Sequence, residues 1–277
     1  MAREIPVPPF RPIDDEYDLG TPTPFSLKGR HALVTGATGP LAEAIAVGLA
    51  EADATVSLVA AANVPAGDPG SAAILEACRA LGRAGASTSA DLTDPTAMEQ
   101  SLKAAEATAG PVHILVNASH GANIKPVLES SVEEWRRELE RNATSTFVAT
   151  QVVGRTMVEQ GYGRIINLVS ILHDRAVPNA AIFAASQGAV YGFTKSIGVE
   201  WGRSGVTANV LTLGFIDGVP GIHADPEIRG ILERYIPLRR LGAPADIQGA
   251  VVYMASDYAD FLVSESVTVD GAIQVHA

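Results

Sequence analysis

Residues 31–51 read HALVTGATGPLAEAIAVGLAE, and this stretch decides the fold. Its first five residues are the apolar run of a buried strand, and residues 41–51 have the pattern of a helix. Between them, Gly36 and Gly39 permit a tight turn. A strand, a glycine-containing turn and a helix predict the start of a βαβ unit, with an anion-attracting site at the helix amino terminus.

The same alternation continues through the rest of the chain. Further strands are predicted at residues 55–59, 87–91, 112–116, 164–169, 207–211 and 266–269, and further helices at 74–81, 94–108, 132–153, 180–201 and 245–255. Asp94 is the expected N-cap of the third helix, with Pro95 at its first position. Strands separated by helices imply right-handed crossovers. We therefore predict one α/β domain over residues 27–277, with a doubly wound parallel sheet of the Rossmann type.

Residues 1–26 differ from this body. They contain six prolines and the acidic cluster Asp14-Asp15-Glu16. Proline prevents regular structure within such a segment. We expect either a disordered tail or an extended arm laid on the body or on a neighbouring subunit.

Composition excludes several function classes. The formal net charge is −11 and the basic residues are dispersed, so neither nucleic acid nor an anionic membrane is an expected partner. Cys78 is the single cysteine, which excludes an internal disulfide and a cysteine-cluster metal site, and we expect no metal. No apolar run reaches the roughly 20 residues of a membrane helix, and no export signal is evident, so a cytoplasmic location is expected.

Several motifs occur in an order that is typical of one family. Thr35-Gly36 opens the turn after the first strand, Asp91-Leu92-Thr93 ends the third, and the carboxyl-terminal region reads IPLRRLGAPADI at residues 236–247, followed by Val269-Asp270-Gly271. In this order they resemble the short-chain dehydrogenase/reductase (SDR) family, classical type, over residues 27–277. The resemblance implies a Rossmann-type fold, a nicotinamide cofactor and proton transfer at an alcohol or carbonyl oxygen.

The resemblance breaks at the catalytic positions. In the family a Ser is followed thirteen residues later by the Tyr that transfers the proton, and four residues further by a Lys that lowers the phenol pKa and holds the nicotinamide ribose. Ser170 is present, but Phe183 and Gln187 occupy the other two positions. Phe has no ionisable group and Gln carries no charge. General acid/base catalysis contributes roughly 10²–10⁴-fold, so the usual dehydrogenase chemistry is expected to be lost.

A second Tyr-x-x-x-Lys pattern does not restore that chemistry. Tyr191 and Lys195 lie too late in the chain, because Tyr191 follows Ser170 by twenty-one residues. On a helix that rises about 1.5 Å per residue, Tyr191 lies roughly 12 Å beyond Phe183. We expect it to miss the site and to pack a helix face.

The cofactor turn also departs from the family pattern, Thr-Gly-x-x-x-Gly-x-Gly. Gly36 matches, and Thr38 and Gly39 are further candidates for cofactor binding. Pro40 and Ala42 replace the later glycines, and Pro40 has no N–H to donate.

Other positions around the predicted cofactor give mixed indications. By the resemblance, Asp91 faces the adenine and Asn117 is retained from the family pattern. Ser119 replaces a Gly on the nicotinamide side, and Ala60 supplies neither the acid nor the Arg expected at the end of the second strand. We therefore predict a degenerate NAD(P) site that binds the cofactor weakly or not at all.

Four polar residues remain as catalytic candidates. The resemblance makes Asn142 the family's fourth catalytic residue, or else a side chain that satisfies backbone groups in a helix kink. Ser170 binds a carbonyl oxygen or caps the strand end. His173 is an alternative acid/base, or part of a solvated loop, and His120 is expected to point toward the cleft from the end of the fourth strand.

Three functions are compatible with this pattern. The expectation placed first is a non-catalytic pseudoenzyme subunit in a homo-oligomer, or in a hetero-oligomer with an intact SDR subunit. The second is a non-redox enzyme, such as a dehydratase, isomerase or cyclase, that uses Ser170 with a nearby His. The third is an atypical NAD(P)-dependent oxidoreductase.

Overall fold

The seven strands of the described region form one parallel sheet in the order β3-β2-β1-β4-β5-β6-β7. The computed structural model describes residues 25–62 and 70–276. Its strands are β1 His31–Thr35, β2 Thr55–Ala61, β3 Ala84–Ala90, β4 Ile114–Asn117, β5 Gly163–Ser170, β6 Val206–Leu213 and β7 Ser266–Val269. The predicted α/β fold with a doubly wound parallel sheet is confirmed. The chain adds β2 and β3 on one side of β1 and then β4 to β7 on the other side. Sheets of this type form a ligand crevice at such a switch point, here between β1 and β4.

Eight α-helices connect the described strands. They are α1 Gly39–Glu51, α2 Ser71–Ala80, α3 Pro95–Ala109, α4 Val132–Leu139, α5 Ser145–Gln160, α6 Ala181–Trp201, α7 Pro226–Tyr235 and α8 Gln248–Ala255. Asp94 caps α3 as predicted, since its side chain accepts a hydrogen bond from the Thr96 N–H at 2.9 Å. Helix α3 therefore begins at the residue predicted to cap it.

Two helical regions differ from the sequence-based prediction. The helix expected at residues 132–153 is two helices, α4 and α5, joined by the π-helical turn Glu140–Thr144. Helix α7 was not among the predicted helices. Its start was visible in the sequence nevertheless: the Asp225 side chain accepts from the Glu227 N–H at 2.8 Å, and Pro226 opens the first turn.

Alternation along β1 shows how the two faces of the sheet are covered. Ala32 and Val34 belong to a core formed with α1, α2 and α8, whereas Leu33 belongs to a core formed with α3 and α5. Strands that are buried on both faces have a continuous apolar sequence, which explains the run at residues 31–35.

A charged cluster closes the amino-terminal edge of the sheet. The Arg164 side chain is only 4% exposed and pairs with Asp257 and Asp260. The Tyr162 ring lies 3.9 Å from the Arg30 guanidinium and 4.5 Å from that of Arg164. Burial raises the pKa of Tyr162 to about 12, so the phenol stays neutral in this cluster.

Two further expectations concern the amino-terminal segment and membrane-spanning helices. The proline-rich arm predicted for residues 1–26 lies, as far as residue 24, outside the described residues. Among the helices of the described ranges, none combines the length and apolar character needed to cross a membrane.

Candidate active site

The carboxyl ends of β1, β4, β5 and β6 meet at one edge of the sheet. Thr35 pairs with Asn117, Asn117 pairs with Asn167, and Ser170 pairs with Leu213. Ligands of open α/β sheets bind at this edge, beyond the topological switch point. The sequence-predicted site residues on these strands are therefore brought to the edge where chemistry is expected.

Ser170 is the last residue of β5 and is held by two hydrogen bonds. Its N–H donates to the Gln187 side-chain oxygen at 2.8 Å, and its hydroxyl oxygen accepts from the Leu172 N–H at 3.2 Å. Both of these bonds leave the hydroxyl proton free, and no described residue takes it. Ser170 thus caps the short helical turn that follows and still presents a donor to a ligand.

Phe183 and Gln187 lie one turn apart on α6 and are almost fully buried. They project from the same helix face, as residues four apart do. The Phe183 ring meets the His120 ring edge-on, with centroids 5.6 Å apart. Gln187 therefore positions the backbone of Ser170, and Phe183 forms an apolar wall beside an imidazole.

Asn142 lies in the π-helical turn, with its amide group engaged by the protein. Its nitrogen donates to the Gly121 carbonyl at 3.0 Å and to the Ser186 hydroxyl at 2.9 Å, and its oxygen accepts from the Gly121 N–H at 3.1 Å. Because a carboxamide has two N–H donors, these contacts use its donor capacity. In this arrangement Asn142 ties the loop after β4 to α6.

His173 lines a different cavity from the Ser170 side chain. Its Nδ1 lies 2.9 Å from the Ser170 carbonyl, which can only accept, so Nδ1 carries the proton. The ring stacks on Tyr191 with centroids 4.4 Å apart. Both side chains line an open polar cavity with Asp174 and Gln274. The structure therefore does not bring His173 together with the Ser170 hydroxyl.

A small cavity of about 20 Å³ lies beside Ser170. This volume holds about one water molecule, or one substrate oxygen atom. Its walls are mostly apolar, and two histidines interrupt them. The lining residues are His120, Ile124, Ser170, Leu172, Phe183, Leu213, Gly214, Phe215, Ile216, Val219, Pro220, Gly221, Ile222 and His223.

The two histidines of this cavity each have a buried Nδ1 without a hydrogen-bond partner among the described residues. His223 Nε2 lies 2.8 Å from the Ile216 carbonyl and must donate to it, which leaves Nδ1 as a bare acceptor in the neutral ring. Burial, together with the nearby His223, lowers the pKa of His120 to about 4. Burial also lowers the pKa of His223. Near neutral pH both rings are therefore uncharged.

The turn after β1 fits the pyrophosphate of a dinucleotide. Gly39 has φ +76° and nothing within 4 Å of the place where a Cβ would be, so a ligand can approach the backbone at the start of α1. The first helical turn has no acidic residue, and Thr38 forms no side-chain cap. Pro40 lies in this first turn, where a missing N–H removes no helical hydrogen bond. The helix amino terminus therefore keeps its attraction for an anion.

Gly36 has a packing role in the same turn. Its φ is +64°, and a Cβ there would lie 2.5 Å from the Ser119 backbone nitrogen. Only glycine allows this close approach between the turns that follow β1 and β4.

The remaining cofactor candidates, Asn117 and Asp91, differ in how many of their hydrogen-bonding groups the protein itself uses. Asn117 is buried: its oxygen accepts from the Thr35 hydroxyl at 2.7 Å, and its nitrogen donates to Asn167 at 2.8 Å and to Thr150 at 3.0 Å. It joins β1, β4, β5 and α5. Asp91 is exposed, and hydrogen bonds from Thr93 lower the pKa of its carboxyl group. One of its carboxylate oxygens takes both of these bonds.

Comparisons with known proteins are consistent with this architecture. Residues 36–273 match the sequence profile of the family described as Enoyl-(Acyl carrier protein) reductase. The chain is 32% identical to gluconate 5-dehydrogenase of Gluconobacter oxydans (strain 621H), over 93% of this chain and 99% of that enzyme. It is also 32% identical to the 3-oxoacyl-(acyl-carrier-protein) reductase FabG of Escherichia coli (strain K12), over 90% of this chain and 99% of that enzyme.

Solved structures show the same likeness. The crystal structure of gluconate 5-dehydrogenase from Burkholderia cenocepacia J2315, in complex with NADP and tartrate, has a TM-score of 0.83 at 28% identity and covers 92% of this chain and 98% of that one. A short-chain type dehydrogenase/reductase from Mycobacterium marinum has a TM-score of 0.80 at 26% identity, with 90% and 97% covered. The fold is a doubly wound α/β sheet of the Rossmann type, as in these solved structures. The chain belongs to the short-chain dehydrogenase/reductase family.

The leading functional expectation from the sequence is wrong. The losses at Phe183 and Gln187 favoured a non-catalytic subunit, but the relatives are named as oxidoreductases, a gluconate dehydrogenase and a 3-oxoacyl reductase among them. Nothing in the fold or in the comparisons supports a pseudoenzyme.

The pairing of His120 with His223 was not predicted. The sequence analysis placed His120 toward the cleft but did not join it to His223. The available signal was topological: His120 follows β4 and His223 follows β6, and the ends of both strands meet at the edge that carries Ser170.

Proposed function

We propose that this protein is an NAD(P)-dependent oxidoreductase that interconverts a secondary alcohol and a ketone. The observation that carries the proposal is the Ser170 hydroxyl, whose proton is free, beside an enclosed cavity at the carboxyl edge of the sheet. The phosphate turn opens at the same edge. The related gluconate 5-dehydrogenase solved with NADP supports a nicotinamide cofactor.

Each part of the site has a role in this proposal. The bound nicotinamide cofactor supplies hydride chemistry. Gly39 and the free N–H groups of the first turn of α1 hold its pyrophosphate. Ser170 donates a hydrogen bond to the substrate oxygen, and Gln187 fixes the Ser170 backbone from α6. The apolar wall that includes Phe183 keeps water from the reacting atoms.

The proposed active site departs from the family pattern at two positions. Phe183 stands where the family has its proton-transferring Tyr, and Gln187 where it has its Lys. Neither side chain can move a proton. Another group beside the cavity must therefore do so, and the cofactor must be held without the ribose contact of a lysine.

We also propose that the protein assembles with further copies of itself. Phe147 of α5 and Phe193 of α6 pack together with centroids 5.7 Å apart, and Phe147 and Val199 are 44% and 76% exposed. Exposed apolar faces of this kind commonly mark protein contacts. In this proposal, residues 1–26 form an arm outside the domain of residues 27–277. Sedimentation of the full chain tests the assembly, and a stable monomer would refute it.

Cofactor binding and turnover test the proposed oxidoreductase directly. The full chain is titrated with NADPH and NADH by fluorescence and assayed with uncharged ketones. We expect saturable binding of one of the two and turnover that Ser170→Ala lowers by roughly 10²-fold or more. Ser196→Ala, on an exposed part of α6, is the matched control and keeps full activity. Absence of binding and turnover with both cofactors contradicts the proposal.

A further inference from the structure

We propose that His120 and His223 are the proton-transferring pair of this site, and that they select an uncharged secondary alcohol or its ketone. This inference rests on the proposed oxidoreductase function and adds to it the proton carrier and the substrate class. Its basis is geometric: two imidazoles and the Ser170 hydroxyl line one cavity large enough for a single oxygen atom.

The hydrogen-bonding capacity of the cavity matches an alcohol group. Ser170 offers an O–H donor, whereas His120 and His223 each offer a buried Nδ1 without a partner among the described residues. An alcohol oxygen accepts from the serine and donates its own proton to an imidazole nitrogen. Buried acceptors that lack a donor are unfavourable, so a hydroxyl group in the cavity supplies a hydrogen bond that the protein alone does not make.

His120 is placed to act as the direct carrier. Its ring contacts the ring of Phe183, the residue at the position of the family's phenol. An imidazole at this place therefore lies next to the point from which a phenol would act. His223 is the second member of the pair, because its tautomer is fixed by the Ile216 carbonyl and its Nδ1 remains an acceptor.

The surroundings of the pair keep it neutral when no substrate is bound. His223 faces His120, and Asp217 and Arg229 lie near His223, where they form an ion pair with each other. The Arg141 side chain passes close to Gly121, the neighbour of His120. The two neutral imidazoles can accept one proton between them, since a second positive charge in the cavity would be repelled by the first.

The proton step balances in the direction of alcohol oxidation. The substrate O–H bond breaks, and an N–H bond forms at the unprotonated ring nitrogen of His120. The electron pair left on oxygen forms the C=O bond as hydride leaves the carbinol carbon for the oxidised nicotinamide cofactor, which is the oxidant. In the direction of reduction, the imidazolium returns the proton to the oxygen.

The lining of the cavity favours a substrate without charge. The walls around the histidines are Ile124, Leu172, Phe215 and Ile222, with other apolar residues, and no lysine or arginine lines the cavity. A carboxylate buried here would have no cation to pair with, which is strongly unfavourable. A sugar acid, the substrate class in the name of one relative, does not match this lining.

Access for a substrate body larger than one oxygen requires movement of the segment that carries His223. Gly221 lies against that ring, since a Cβ there would be 2.9 Å from Nδ1. Gly221→Ala should therefore crowd the acceptor nitrogen without removing either histidine.

The test combines a binding measurement with kinetics. The full chain with ¹⁵N-labelled histidine is titrated with 2-butanol by NMR in the absence of cofactor. We expect the Nδ1 signals of His120 and His223 to shift, no shift with D-gluconate, and loss of the His223 response in Gly221→Ala. His276→Gln, at an exposed ring, is the matched control and leaves the titration unchanged.

Kinetics then separate this inference from the proposed function. We expect His120→Gln to lower kcat roughly 10²-fold or more and His223→Gln to lower it less, with NADPH affinity changed less than about twofold in either variant. Full activity in both variants, or alcohol titrations that leave both histidines unmoved, overturns the inference while the oxidoreductase proposal stands. Failure of NADPH and NADH to bind defeats the proposed function instead, and the NMR titration still decides whether the pair receives a hydroxyl group.

Discussion

At the scale of single residues, Gln187 has a structural role at the position where the family places its catalytic Lys. Its side-chain oxygen accepts a hydrogen bond from the Ser170 N–H, and both groups are buried. The end of β5 therefore depends on α6 through one carboxamide. A lysine there would supply donors but no acceptor, so it could not form this hydrogen bond with the Ser170 N–H.

Replacing Gln187 with methionine should destabilise the fold. The substitution keeps the length of the side chain but leaves the Ser170 N–H buried without a partner, which costs about 1–3 kcal/mol. Urea unfolding measures the loss. Gln151→Met, at an exposed position of α5, is the control, and its effect should stay within about 0.5 kcal/mol. Equal stabilities of the two variants would contradict the assigned contact.

Gly36 and Gly39, in the turn after β1, should differ in how much stability is lost when each is replaced by alanine. Both have positive φ, which costs an alanine about 1–2 kcal/mol. Gly39 has open space beside it, whereas a Cβ at Gly36 would run into the Ser119 backbone. We expect Gly36→Ala to lower the free energy of unfolding clearly more than Gly39→Ala. The reverse order, measured by urea unfolding, would refute the described turn.

At the scale of elements, the π-helical turn between α4 and α5 fixes the back of the site. It presents Asn142 to Gly121 in the loop after β4 and to Ser186 in α6. Glu138 is buried beside it, and burial raises the pKa of that carboxyl group. The turn is thus a junction of three elements that surround the cavity.

Asn142→Ala should loosen this junction and lower stability. The Gly121 N–H and carbonyl groups lose their partner, so the expected cost is about 1–3 kcal/mol. Hydrogen exchange should speed up at Gly121 and in the first turns of α6, and unfolding by urea should occur earlier. Thr108→Ala, at an exposed site of α3, serves as the control. An Asn142→Ala protein of unchanged stability would favour a purely catalytic role.

At the scale of the whole molecule, histidines at both edges of the sheet make stability depend on pH. Burial lowers the pKa of His31 and of His113 at the amino-terminal edge, and of His120 and His223 at the carboxyl edge. The unfolded chain binds protons near pH 6.5, whereas the folded chain resists them. Stability is therefore complete above that pH and falls as the pH drops toward about 4, the pKa of His120.

Acidification should accordingly lower the melting temperature. We expect a clear decrease in Tm between about pH 7.5 and about pH 5. His31→Asn together with His223→Asn should flatten this dependence, because two of the contributing groups are removed. A Tm that stays constant or rises over this range would contradict the burial of these rings.

The sequence predicted more of the fold than of the site. Motif order and the alternation of strand and helix patterns were enough to predict the sheet. Short apolar runs such as residues 32–34 are typical of parallel strands that are buried on both faces. The break between α4 and α5 is a one-residue change of helical period, which the apolar pattern of the sequence does not reveal. Helix α7 begins at a cap, Asp225 and Pro226, that the sequence contains but the prediction did not use. The histidine pair depended on two loops distant in sequence, and only the packed structure joins His120 to His223.

The inference of lost function shows the limit of reading single positions. Phe183 and Gln187 depart from the family pattern, but the absence of two side chains does not reveal which other groups the site uses. That information lies in tertiary packing around Ser170.

The most direct test of the central claim is transfer of deuterium from reduced cofactor. The full chain is incubated with an uncharged ketone and NADPH or NADH that carries deuterium at the reactive C4 position, and the product is analysed by mass spectrometry. An oxidoreductase predicts one deuterium on the carbinol carbon of the product alcohol, at a rate that Ser170→Ala lowers roughly 10²-fold or more. Unlabelled product, or no product with either cofactor, would contradict the account.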